Sequence, residues 1–226
     1  MPDFTTFSSL LRITTKYEMP AVRSQLFEAV RDAYPETFEG LVPSKQLGER
    51  VFSGPTPHPN EVLNLFVQQK LTSALPMAYY MAAQRGLDSL MDGRLPASAR
   101  LAPEILHVAL RGLMTLREAE LNETHHLIFG SKASHHCSTP SCPSRTPTGP
   151  ATLEAFQKVF DHIVGSSSQL GTKVLQVTEF YEDCGGDLQC VGPGICGNCV
   201  ERWESGRAGL RKKIWVTLPD VFGLKG

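Results

Sequence analysis

Residues 103–121 read PEILHVALRGLMTLREAEL, and this stretch decides the fold class. Pro103 suits the first turn of a helix, where a missing N–H breaks no hydrogen bond. Leu106, Leu110, Leu113 and Leu121 recur at near-helical spacing and predict a buried stripe, with Arg111, Arg117, Glu118 and Glu120 mostly around the other side. The same period continues toward the N-terminus. Leu75 to Arg85 predicts a short helix that stops at Gly86. Asn60 is placed as the N-cap of a helix carrying Val62, Leu63, Phe66 and Val67. Val22, Leu26, Phe27 and Val30 line one face of a helix that Pro35 ends, and before Pro20 an apolar stripe begins with Leu10, Leu11 and Tyr17. Between these blocks, residues 40–59 hold Gly40, Pro43, Gly48, Gly54, Pro55, Pro57 and Pro59 and read as a loop.

Toward the C-terminus, Thr152 can cap a helix bearing Phe156, Val159, Phe160 and Ile163. GSSSQLG at 165–171 is a link, and KVLQVTEFY at 173–181 is the one stretch of strand-like composition, short enough to suit a helix equally. Val200, Trp203, Leu210, Ile214 and Leu218 then form a helical stripe broken at Arg207. Gly206 and Gly209 each weaken that helix by about 1 kcal/mol relative to alanine. Pro219 is expected to end it, leaving DVFGLKG to fold back. The expected architecture is mainly α, an irregular helical domain with long loops. It forms one domain over 1–226, with a helical part at 1–130 and a cysteine-bearing part at 131–226 closed by the C-terminal helix.

Composition narrows the function classes. Lysine and arginine number 22 against 23 acidic residues, a balance that argues against a dedicated nucleic-acid binder and against attraction to anionic membranes. The opening MPDFTTFSSLLRI lacks the basic start and apolar length of a signal peptide. The expected compartment is therefore the reducing cytosol or nucleus, where closely spaced cysteines are more often metal ligands or free thiols than disulfides. In that setting the sequon at Asn122 is a chance match.

Six cysteines are present. Cys137 and Cys142 make a C-x4-C within HHCSTPSC, and Cys196 and Cys199 make a C-x2-C within CGNC. Short spacings let two thiolates converge on one ion, so the two pairs together suit a closed, four-thiolate structural zinc site that staples the C-terminal half. Two other ligand sets stay open. Cys184 and Cys190 could join Cys196 and Cys199 in a local knuckle, and His135 or His136 could replace a middle thiolate.

Catalytic signatures are lacking. No H-E-x-x-H, P-loop or G-x-S-x-G occurs. Gly192, Gly194 and Gly197 satisfy G-x-G-x-x-G literally, but with Pro193 and a candidate metal ligand inside the loop and no strand before it. His125 and His126 are placed just after the long helix. Arg202, Arg207, Arg211, Lys212 and Lys213 form a basic face on the final helix, ordinarily a solvated one.

Three segments together carry a resemblance: SSLLRITTKYEMPAVRSQLFEAV at 8–30, CSTPSC at 137–142, and CGNCVERWESGRAGLRKKIWVTLPDVFGL at 196–224. In their order and motifs they resemble fungal BTB/POZ domain-containing proteins, in the helical region that follows the BTB domain. The Lys16–Tyr17 element and the Trp215 to Leu224 tail are the more distinctive pieces. The resemblance implies a non-enzymatic interaction protein, and it implies that Cys137, Cys142, Cys196 and Cys199 are the recurring positions. Cys184 and Cys190 look like additions. A BTB domain does not precede the Lys16–Tyr17 helix here, so BTB dimerisation and cullin recruitment are not carried over.

The expected function is thus a protein–protein interaction or scaffold module with an unnamed protein partner, no membrane and no nucleic acid. Trp203, Leu210, Ile214, Trp215 and Phe222 are expected as core anchors. Two alternatives from other classes are a zinc-dependent enzyme with an open metal position and a nucleic-acid binder using the basic final helix.

Overall fold

The computed structural model describes residues 2–31, 34–38, 52–129 and 197–224. Among these residues every regular element is a helix and there is no strand. The helices are α1 (Phe4–Lys16), α2 (Pro20–Arg31), α3 (Pro59–Gln68), α4 (Leu75–Ala83), α5 (Gly86–Met91), α6 (Pro103–Phe129) and α7 (Gly197–Val221), with a 3-10 turn at Ala97–Ala99. The strand-like segment at 173–181 and the helix expected from Thr152 lie outside the described residues. The chain divides into two units. One comprises Met1–Thr115 with Val216–Gly226, and the other Leu116–Trp215.

The first unit is built around α4. LPMAYYMAA carries no charge, and every residue except Pro76 is buried. A helix apolar on all sides must be surrounded, so α4 is the centre and not one layer. Against it packs α3, whose Val62, Leu63, Leu65 and Phe66 are buried. Tyr34 meets Phe66 edge-on at 4.9 Å, and its burial pushes the phenol well above its ordinary value. Gly86 does not simply stop α4. At φ +79° it is the left-handed joint from which α5 starts, a conformation that β-carbon sterics deny to most residues.

The start of α3 also departs from expectation. His58, not Asn60, is the N-cap: its Nδ1 accepts from the Asn60 N–H at 3.2 Å, and the Glu61 carboxylate accepts from the His58 N–H at 3.4 Å. Pro59 takes the first helical position, which shifts the start two residues upstream and buries Asn60.

α1 and α2 form a hairpin. Asp3 caps α1, accepting from the Thr6 N–H at 2.8 Å and the Thr6 hydroxyl at 2.9 Å, and these bonds hold its carboxyl below the ordinary range. Inward from α1 point Phe7, Leu11 and Thr14. Phe7 sets this face by packing on Phe52 at 5.3 Å between ring centres. Of the predicted stripe only Leu11 is therefore buried; Leu10 and Tyr17 are 38% and 63% exposed. α1 ends in a Schellman motif, with Met19 N–H on Thr14 O at 2.9 Å and Glu18 N–H on Thr15 O at 3.4 Å. α3 ends the same way, with Leu71 N–H on Phe66 O at 3.0 Å and Lys70 N–H on Val67 O at 3.1 Å. Arg23 adds a cation at that terminus, donating from Nη2 to Gln69 O at 2.6 Å. Glu18 and Lys70 occupy the left-handed position, at φ 51° and 54°, where glycine is usual.

α6 starts at Pro103 as its sequence predicts and buries Leu113 of the predicted stripe, but its buried face is turned away from the rest of that stripe. Ala109, Gly112, Leu113 and Leu116 point inward, Leu106 and Leu110 are half-buried, and Leu121 is 40% exposed. The cause is Phe222. Its ring lies so close over Gly112 that a β-carbon there would sit 3.0 Å from Cζ and still nearer to Cε1 and Cδ1. The ring also stacks on Tyr79, 5.1 Å between centres. The histidines expected after α6 fall inside it, since the helix continues to Phe129.

α7 likewise continues past Gly206, Gly209 and Pro219 to Val221. Proline removes one donor, yet the terminus is closed by a third Schellman motif: Leu224 N–H on Pro219 O at 2.7 Å and Gly223 N–H on Asp220 O at 3.0 Å. Gly223, at φ +64°, makes the turn that the sequence reading placed at Pro219. In the second unit, Leu116 on α6 and Ile214 on α7 are buried.

Candidate functional site

Of the four cysteines in the expected zinc set, Cys137, Cys142 and Cys196 lie outside the described residues, as do Cys184, Cys190, His135 and His136. Cys199 falls in the first turn of α7. Among the described residues no group of three or more histidine, cysteine, aspartate or glutamate side chains could hold a metal ion. Of the expected anchors, Ile214 and Phe222 are buried and Leu210 and Trp215 half-buried, while Trp203 lies outside the described side chains. On the basic face of α7, Lys212 and Lys213 are exposed and Arg211 is half-buried. No helix among the described residues is long and apolar enough to cross a membrane.

One histidine–serine contact invites a chemical reading. His58 Nε2 lies 3.5 Å from Ser89 Oγ. Its Nδ1 already accepts from the Asn60 N–H, so the neutral ring carries its proton on Nε2 and donates it toward Ser89. A base that activates a serine must accept at that position. The pair therefore braces α5 against the α3 cap and is not a nucleophile in waiting. Burial, helped by Arg85, holds the His58 imidazolium below its ordinary range, with Glu61 opposing.

Two surfaces of the first unit remain. The first is apolar. Leu10, Ile13 and Tyr17 lie on one face of α1, and Met19 and Val22 follow across the turn. These are five of the ten large hydrophobics exposed among the described residues, gathered between positions 10 and 22. Apolar side chains exposed one at a time are ordinary; a cluster is the informative observation.

The second surface is a groove of about 630 Å³, open along one side, between α1, α3, the 3-10 turn and the first turn of α6. Its polar rim comes from α1 (Thr5, Ser8, Ser9, Arg12) and from Gln68, Ser98 and Arg100; its floor from Phe4, Leu65, Leu101 and Ile105. Hydrogen bonds fix the wall. Asn64 Nδ2 donates to Ser98 O at 2.9 Å and to Arg100 O at 2.8 Å, and Ser98 Oγ donates to Glu61. Arg100 Nε donates to Leu95 O at 2.8 Å, which anchors the guanidinium stem and leaves the terminal nitrogens as donors. The sequence offered one signal for this groove: Thr5, Ser8 and Arg12 recur at helical spacing. Such a polar stripe is ordinarily just a solvated face.

Comparison with protein families, curated proteins and solved structures finds no match to this chain.

Proposed function

We propose that the chain is a non-enzymatic protein–protein interaction or scaffold module, of the kind found in the helical region after the BTB domain of fungal BTB/POZ proteins. The observation that carries this reading is the exposed apolar stripe of Leu10, Ile13, Tyr17, Met19 and Val22. Aromatic residues and methionine are favoured at interfaces, and Tyr17 is the most exposed of the five. The stripe includes Tyr17 of the Lys16–Tyr17 element, one of the distinctive pieces of the family resemblance. A structural zinc held by Cys137, Cys142, Cys196 and Cys199 belongs to the same proposal, supported by ligand spacing and by the resemblance. A closed four-thiolate site leaves no water to activate, which fits a scaffold and not a hydrolase.

Photo-crosslinking tests the reading. A benzophenone amino acid at Ile13 or Tyr17 of the full chain should give discrete protein adducts that Met19→Asp removes while the circular dichroism stays helical. Adducts no stronger than those from the exposed Glu28 on α2 would overturn it.

A further inference from the structure

The groove beside α1 has a chemistry distinct from the apolar stripe. Its rim carries two guanidinium groups, Arg12 and Arg100, and neither makes an ion pair among the described residues. The single carboxylate lining the groove, Glu61, is already engaged, accepting from Ser98 Oγ through Oε1 and from the His58 N–H through Oε2. Two guanidinium groups against one carboxylate leave the lining net positive. Below the rim, Leu65 is buried and Leu101, Ile105 and Phe4 half-buried, so the floor is apolar. At about 630 Å³ the space lies in the range of ligand sites, yet it opens along one side and does not enclose its occupant.

We infer that this groove docks a short segment of a partner protein in which a carboxylate side chain stands beside an apolar one. The anion meets Arg12 and Arg100, and the apolar neighbour covers the floor. The Ser8 and Ser9 hydroxyls and the Gln68 amide supply donors and acceptors for the segment's main chain. Arginine suits this task because its planar fork matches two oxygens at once. The Asn64 bonds hold the 3-10 turn and Leu95 O holds Arg100, so that wall of the groove needs little ordering on binding. The inference rests on the interaction reading above but uses a different surface, so the two can fail separately.

The test is fluorescence polarisation of the full chain with labelled hexapeptides of alternating leucine and glutamate, compared with the same peptides carrying phosphoserine, glutamine or lysine in place of glutamate. The glutamate peptide should bind tighter than the glutamine peptide, with the lysine peptide weakest, and binding of the phosphoserine peptide alone would overturn the carboxylate assignment. Arg12→Gln and Arg100→Gln should each weaken binding about three- to fivefold, the size of a solvent-exposed ion pair. Glu61→Gln keeps the helix cap, since glutamine also serves there, and should tighten binding about twofold or more. Met19→Asp, on the apolar stripe, should leave it unchanged. Equal binding of the glutamate and glutamine peptides, no binding by any of them, or indifference to all three groove variants would overturn the inference.

Discussion

Replacing Gly112 with alanine sets two effects of opposite sign against each other. Alanine in place of glycine inside a helix gains about 1 kcal/mol, because glycine loses more backbone freedom on folding. At this position the new β-carbon would lie 3.0 Å from Phe222 Cζ and closer still to two other ring carbons. Any retreat of the ring disturbs its stacking on Tyr79, 5.1 Å between centres. Overpacking of this kind costs about 1–3 kcal/mol. If Phe222 is expelled outright, the loss approaches that of Phe to Ala truncation, about 3–5 kcal/mol. The net expectation is a destabilisation of about 2 kcal/mol, read as a lower urea midpoint by far-ultraviolet circular dichroism. A second background makes the argument decisive. In Phe222→Ala the ring is gone, and Gly112→Ala should there stabilise by about 1 kcal/mol, so the sign reverses. Stabilisation by Gly112→Ala in the parent chain, or the same effect in both backgrounds, would refute the packing argument.

Further outcomes follow from the helix ends and the cysteines. Lys70→Gly should raise stability by about 0.5–1 kcal/mol, because relief of about 1–2 kcal/mol of left-handed strain outweighs the extra freedom glycine brings to the unfolded chain; a lower urea midpoint would contradict it. His58 caps α3 only while neutral, and folding lowers its affinity for a proton through burial first and Arg85 second. Its contribution is thus complete above the ordinary value of 6.5 and is lost as pH falls through the lower folded value. Against His58→Asn, a cap that does not titrate, the parent chain should lose ground as pH falls, and parallel pH profiles would rule this out. Protein purified without added metal should hold about one zinc per chain, and Cys137→Ser or Cys199→Ser should lower both zinc content and the stability of the C-terminal half. Cys184→Ser should leave both unchanged, and equal metal in all variants would remove the four-thiolate set.

Much of the helical framework was legible in the chain itself. Periodicity placed α2, α3 and α4 and pointed Ile214 inward, and Pro103 marked the start of α6. The two close cysteine pairs are legible as well, because spacing along the chain is a local property. The groove was not legible. Thr5, Ser8 and Arg12 read as a solvated face until α3 and the 3-10 turn stand opposite them, and nothing local says that Asn64 will pin two carbonyls from beyond position 97.

The sequence by itself determined that helices form and roughly where, since propensity, proline and apolar period act within a few residues. Tertiary structure alone decided which face each helix buries. Phe222, arriving from the far end of the chain, selects the Gly112 side of α6, and Phe52 selects the Phe7 side of α1. It also decided where α7 stops, because a proline one turn from the end is tolerated once Gly223 and Leu224 satisfy the last carbonyls. A period fixes the angle between side chains on one helix, whereas the direction of the whole set depends on the volume of what lies opposite.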